Sequence, residues 1–252
     1  MSRRDFIFRR VHKENLGSFY LSLNLKTFKI NNFMHIGIIL DGNRRYARKL
    51  ALKPWEGHRE GAKTIEKLIE WVEELNIDEL TLYTLSVENL QRDKDELNYL
   101  FDIIYDRLNK FKTDKRIYDK QVRICFIGDL KLIPKRIQNV CAELEQLTKT
   151  HKRYKINFCL AYSGRQEIIQ AIKKIDDQKN ITEEELTKNL QLSSEPEFII
   201  RTGGHTRSSN FLPWQSVYSE WFYTDKLWPE FTKADLENAL EKYKTIKRNF
   251  GR

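Results

Sequence analysis

Residues 35–45, HIGIILDGNRR, decide how the rest of the chain is read. A short apolar run ends abruptly in an acid, a glycine, an amide and two arginines. Such a run, bounded by a turn, suits a strand buried on both faces. Asp41 then stands just past the strand's carboxyl end. Working outward, a polar loop is expected to about residue 58. A helix follows, with Ala62, Ile65, Leu68, Ile69, Val72 and Leu75 on one side.

The alternation continues to the end of the chain. Residues 80–85, 122–127, 156–160 and 198–200 read as strands. Helices lie between them: one carries Leu97, Leu100, Phe101, Ile104 and Leu108, and another begins after Pro134. A further helix covers residues 166–175. Thr182 with Glu185, and Thr232 with Asp235, read as capping boxes opening two more. Strand–helix alternation predicts a single α/β domain, a mostly parallel central sheet flanked by helices. The domain is expected to span residues 35–252. Residues 1–34 fit both a helical face and an alternating pattern; they form a basic segment, helical or partly ordered, with Arg3, Arg4, Arg9, Arg10 and Lys13. Such a terminus could touch anionic lipid.

Composition narrows the function classes. The chain has 252 residues, enough for a core without disulfide staples. Its three cysteines, Cys125, Cys141 and Cys159, include no CxxC, which excludes a zinc ribbon and suits a reducing, cytoplasmic setting. No apolar run approaches the ~18 residues of a membrane span. The formal charge of +9 raises nucleic acid as a partner. Most lysines and arginines, however, alternate with glutamate on helical faces, and strand centres lack basic-flanked stacking aromatics. No nucleic-acid partner is expected.

In open α/β sheets, ligands collect at the carboxyl ends of strands. Those ends here hold residues 41–45, residues 86–89 with Arg92, residues 128–129, residues 162–165 and residues 201–204. They offer carboxylates, arginines and glycine-bearing turns, which is what two oligophosphates and one metal require. The P-loop, GxGxxG and HExxH patterns are absent.

These segments also carry a resemblance. Residues 35–48 (HIGIILDGNRRYAR), Gly57-His58, residues 86–89 and residues 201–220 resemble the signature segments of the cis-prenyltransferases, the undecaprenyl and dehydrodolichyl diphosphate synthases. The likeness runs from about residue 35 to Phe250-Gly251 in order and spacing. It implies a Mg²⁺-dependent homodimer that condenses isopentenyl diphosphate repeatedly onto an allylic diphosphate, farnesyl or geranylgeranyl. Asp41 corresponds to the Mg²⁺ ligand at that diphosphate. Gly42, Asn43, Arg44, Arg45 and Tyr46, with His58, match the loop that grips it. Ser86, Val87, Glu88, Asn89 and Arg92 match a second loop, whose Asn is often given a proton-accepting role. An amide is a poor base, so orienting the acceptor, or a diphosphate oxygen acting as base, is better chemistry. Arg201, Arg207, Ser208 and Ser209 match the isopentenyl diphosphate site, and Glu220 a metal ligand near the dimer interface.

The resemblance further implies a hydrophobic product tunnel walled by the helix of Leu97 to Leu108, and peripheral membrane contact for product release. His58, at a helix start, is expected to donate to phosphate. The aromatic run Trp221, Phe222, Tyr223, Trp228 and Phe231 reads as core or subunit interface. Three positions depart from the family pattern: Pro54, Leu90 and His205. A non-catalytic activating subunit of the same fold is the other class considered, and the intact segment 41–45 argues against it.

Overall fold

The apolar run at 35 forms β1 (His35–Ile39), buried along its whole length. The computed structural model describes residues 33–177 and 179–246. Readings made for residues 1–32 and 247–252 lie outside the described residues. The other strands are β2 (Glu79–Ser86), β3 (Val122–Ile127), β4 (Tyr154–Tyr162), β5 (Phe198–Arg201) and β6 (Glu220–Tyr223). They make one sheet in the order β3-β4-β2-β1-β5-β6, and every neighbouring pair is parallel. The α/β expectation holds, and the sheet is wholly parallel.

The helices are α1 (Asn43–Lys49), α2 (Gly57–Glu74), α3 (Lys94–Phe111), α4 (Lys115–Asp119), α5 (Lys135–Thr148), α6 (Gly164–Ile172), α7 (Glu183–Asn189) and α8 (Lys233–Thr245). Both capping boxes are formed, Thr182 with Glu185 and Thr232 with Asp235. The main core joins β1, β2, β3 and β4 to α2, α3, α5 and α8, through residues such as Ile36, Leu68, Leu82, Ile137 and Leu236. A smaller cluster of Ile39, Cys159, Tyr162, Ile199, Phe211 and Leu212 fills the opposite face.

Two readings are corrected. The loop expected up to residue 58 contains α1. Gly42, at φ 114°, turns the chain into this helix, whose one buried residue is Ala47. With no apolar stripe, nothing in its sequence announces a helix. β6 and α4 were not read either, because elements of four and five residues carry too little periodicity. In the aromatic run, read as core or subunit interface, Trp228 and Phe231 are core: both are buried, and Trp228 donates through Nε1 to the Gly61 carbonyl at 2.9 Å.

Sheet order fixes where a ligand can lie. β1 sits between β2 and β5, and the chain crosses from the β3-β4-β2 side to β5 only after β4. The order reverses between β1 and β5, which opens a crevice at their carboxyl ends.

Candidate active site

That crevice is the mouth of a cavity of about 1170 Å³. Asp41 follows β1 and Arg201 ends β5, where Ile39 and Arg201 are in register. Arg201 donates through Nη2 to Asp41 Oδ2 at 2.9 Å, and Arg45 Nη2 donates to Oδ1 at 3.2 Å. The guanidinium of Arg201 is buried; its Nη1 also donates to the Arg207 carbonyl and to Ser209 Oγ, while Nε has no hydrogen-bond partner among the described residues. The Asp41 carbonyl accepts from Thr202 Oγ1 at 2.7 Å and from the Trp228 N–H at 3.0 Å. Gly203, at φ +84°, lets its loop close on this pair: a Cβ there would stand 2.5 Å from Arg45 Nη2.

A second cationic cluster forms where α1, α2 and the turn before α3 meet. Its centre is Glu96, a buried carboxylate in the first turn of α3, which is capped by Asp93. Arg92 Nη1 lies 3.3 Å from Glu96 Oε1, and Arg44 Nε and His58 Nε2 each lie 3.6 Å from it. Burial, and then the Arg92 cation, pull the His58 pKa down to about 4, against the opposing pull of Glu96. His58 is therefore a neutral ring at neutral pH. Its backbone N–H donates to the Trp55 carbonyl at 3.0 Å.

The remaining loops close the rim. Asn89 Oδ1 accepts from the Ser86 N–H, and the Asn89 N–H donates to Ser86 Oγ, both at 3.2 Å. Asn210 stitches three segments: Nδ2 donates to Ser163 Oγ at 2.9 Å and to Glu88 Oε1 at 3.5 Å, and Oδ1 accepts from the Arg165 N–H at 3.0 Å. Below the rim the bore is apolar, lined by Ile65, Leu100, Ile104, Leu108, Phe111 and Phe158 among others.

The cavity lining gathers Asp41, Gly42, Asn43, Arg44, Arg45, His58, Ser86, Glu88, Asn89, Arg92, Arg201, Arg207, Ser208 and Ser209. Tyr46 and Val87 are not in that lining; the Val87 N–H instead ties its loop to the Tyr162 carbonyl. Glu220 is not brought to Asp41. It starts the edge strand β6 in register with Phe198, whereas Arg201 pairs with Tyr223 at that strand's other end. Gly128 and Asp129 share the sheet edge but lie outside the lining, the Gly128 N–H donating to Gln191 Oε1. On α3, Leu100, Ile104 and Leu108 of the expected stripe line the cavity. Leu97 and Phe101 pack into the main core, and Ile103, Arg107 and Phe111 reach the cavity.

Sequence reasoning missed Glu96, Arg107 and Asn210, while Arg165, read at the end of its strand, does line the cavity. Glu96 had a legible signal, a carboxylate four residues after Arg92 at the head of an apolar helical stripe. Asn210 had none, since its role depends on three loops meeting.

The donors at Asp41 fit Mg²⁺. Among the described residues no group of three or more His, Cys, Asp or Glu is placed to hold a metal. One carboxylate beside arginines suits an ion that keeps its waters and binds through substrate phosphates rather than a protein cage.

Comparison with known proteins agrees with this geometry. Residues 39–251 match the family model described as putative undecaprenyl diphosphate synthase. The chain is 42% identical over 228 residues to the tritrans,polycis-undecaprenyl-diphosphate synthase (geranylgeranyl-diphosphate specific) of Methanopyrus kandleri, covering 86% of this chain and 84% of the relative. It is 39% identical to the protein of the same name from Pyrococcus furiosus, covering 86% of each. Among solved structures it resembles lavandulyl diphosphate synthase from Lavandula x intermedia in complex with dimethylallyl diphosphate, with a TM-score of 0.81 and 30% identity over 86% of this chain and 98% of the other. It also resembles a probable undecaprenyl diphosphate synthase from Campylobacter jejuni, with a TM-score of 0.75 and 31% identity over 88% and 100% of the two chains. A parallel sheet with its arginine-lined crevice at β1 and β5, and a match of this extent, lead to one conclusion: the chain belongs to the undecaprenyl diphosphate synthase family, the cis-prenyltransferases, and is a prenyl transferase.

Proposed function

We propose that residues 35–252 are a cis-polyprenyl diphosphate synthase that condenses isopentenyl diphosphate repeatedly onto geranylgeranyl diphosphate. The product is the long-chain precursor of a glycosyl carrier lipid. One observation carries the reading: two cationic clusters flank Asp41 at the mouth of a cavity whose depth is apolar. Two anionic heads and one growing hydrocarbon tail each have a complementary place. The geranylgeranyl primer is supported by the names of the two relatives, both geranylgeranyl-diphosphate specific.

The primer diphosphate rests against Gly42, Asn43, Arg44 and Arg45, with Arg92 and neutral His58 behind them. Isopentenyl diphosphate rests against Arg201, Arg207, Ser208 and Ser209. Asp41 would hold Mg²⁺, which when bound would supply Lewis-acid charge neutralisation at the leaving diphosphate. Arg44 and Arg45 take up the negative charge that develops there as the allylic C–O bond breaks. Asn89 already accepts from the Ser86 backbone, so it orients the acceptor, and a diphosphate oxygen removes the proton.

The working unit is a homodimer. Val217 and Tyr218 are 68% and 71% exposed just before β6, the open edge of the sheet, and a partner covering them would shield that edge. No helix among the described residues is long and apolar enough to cross a membrane. The enzyme works in the cytoplasm and meets the membrane peripherally to release its product.

The test is incorporation of radiolabelled isopentenyl diphosphate into butanol-extractable product, with geranylgeranyl or farnesyl diphosphate as primer, with Mg²⁺ or with chelator. Mg²⁺-dependent polyprenyl product from geranylgeranyl diphosphate is expected. No incorporation from either primer would overturn the reading, and a preference for farnesyl diphosphate would overturn the primer.

A further inference from the structure

The loop that carries Arg207, Ser208 and Ser209 has a costly backbone. Ser209 and Asn210 sit at φ 50° and 64°, and Leu212 at 46°, left-handed values that residues with a Cβ rarely adopt. Such a conformation persists only where its surroundings over-determine it. Ser208 and Ser209 are exposed at the cavity rim, whereas Phe211 and Leu212 are fully buried. One side of the loop hangs on Arg201, through the Arg207 carbonyl and Ser209 Oγ, and on Tyr83, whose hydroxyl donates to the Ser209 carbonyl at 3.2 Å. The other side hangs on Asn210.

An Asn in a turn commonly bonds the backbone beside it. Asn210 instead reaches 45 and 47 positions back, to the start of α6. The Gly164 N–H donates to the Asn210 carbonyl at 3.1 Å, and the Arg165 N–H to its Oδ1 at 3.0 Å. The Gln166 N–H goes to Ser163 Oγ at 3.4 Å. A helix start is a ready anion site, but here its first three donors are taken, two of them by residue 210. Asn210 Nδ2 donates in turn to Ser163 Oγ at 2.9 Å and to Glu88 Oε1 at 3.5 Å. With both amide hydrogens engaged, the side chain has no donor left for a diphosphate. It holds the groups that do.

We propose that Asn210 is a positioning residue for isopentenyl diphosphate: it pins the 207–210 loop to Ser163 and the head of α6, so that Arg207, Ser208 and Ser209 are set before the diphosphate arrives. Donors set in advance spare the ligand the entropy of ordering a loop, and that saving is gained as affinity. Asn suits the place twice over, since it tolerates φ 64° and carries a donor and an acceptor on one planar group. The primer's cluster at Glu96 is built from Arg44, His58 and Arg92 instead, so the pin acts on one substrate. This inference rests on the assignment of isopentenyl diphosphate to this loop.

The test is a cycle of binding measurements on the unaltered protein, Asn210→Gly, Ser163→Ala and the double variant. Glycine accepts the left-handed backbone, so Asn210→Gly removes the carboxamide without adding strain. Affinities for isopentenyl diphosphate without primer, and for non-reacting geranylgeranyl thiodiphosphate, are measured by calorimetry with Mg²⁺. Asn210→Gly is expected to weaken isopentenyl diphosphate about tenfold and to leave the thiodiphosphate within about twofold, which also reports folding. Ser163→Ala should cost less, and the double variant no more than Asn210→Gly alone, because the two residues share one bond. In the incorporation assay, Asn210→Gly should raise KM for isopentenyl diphosphate more than it lowers kcat. Unchanged isopentenyl diphosphate affinity in Asn210→Gly, equal weakening of both ligands, or additive losses in the double variant would each overturn the pin. An unaltered protein that binds both ligands but never incorporates isopentenyl diphosphate would overturn the elongation reading instead.

Discussion

Arg201 donates to Asp41 across 2.9 Å, joining the carboxyl ends of β5 and β1 where the sheet order reverses. The bond ties the residue assigned to the metal to the residue assigned to isopentenyl diphosphate. Charge at one site is therefore felt at the other.

Asp41→Ala removes the carboxylate and leaves the buried Arg201 guanidinium uncompensated, at a cost of about 3–5 kcal/mol. Turnover should fall by at least ~10²–10³, and the thermal midpoint should drop. Added inorganic diphosphate should recover part of that midpoint by pairing with Arg201. Unchanged turnover would remove Asp41 from the chemistry.

The two cationic clusters should separate kinetically. Arg207→Ala is expected to raise KM for isopentenyl diphosphate about tenfold, with a smaller effect on the primer. Arg44→Gly should do the reverse, because Arg44 shares Glu96 with His58 and Arg92. Many members of the family carry an arginine where this chain has Pro54; if Arg44 compensates for it, Pro54→Arg should restore part of the loss. Steady-state kinetics with each substrate varied in turn checks this, and an inverted pattern would mean the sites are exchanged.

Gly203→Ala tests the close approach of the 202–204 loop. At φ +84° a side chain costs about 1–3 kcal/mol, and the new Cβ would displace Arg45 from its place beside Asp41. Both the denaturation midpoint and kcat should fall. A variant equal to the parent in both would show that the loop has room to spare.

Two histidines predict acid sensitivity. Burial is the leading cause that pulls both His35 and His58 down to about 4 from an ordinary 6.5. Between those values the unfolded chain binds more protons than the folded one, so stability rises with pH across that window and is lost as pH falls through it. Urea unfolding from pH 7 to pH 4 should show this slope. His35→Gln should flatten it, since residue 35 lies at the amino end of β1, away from the cavity. An equal slope in that variant would assign the acid loss to other groups.

Much of this protein was legible in its sequence. Apolar runs of five or six residues alternating with stripes at helical spacing specify strands and helices locally, and right-handed crossovers leave few ways to assemble them. The strand ends then name the site, because parallel strands place their loops on one edge. Residues 41–45 and 201–204 could thus be joined from 160 positions apart. Tertiary structure decided the rest. Which face of α3 lines the cavity depends on how the helix rolls against α2, and that roll put Leu97 and Phe101 in the core and Arg107 in the bore. Glu96 became a hub because Arg44, His58 and Arg92 arrive from three separate elements. Its burial, the neutral state of His58, and the distance of Glu220 from Asp41 are properties of packing. Local pattern fixes what each segment forms, while the field and company of a side chain come from segments far away in the chain.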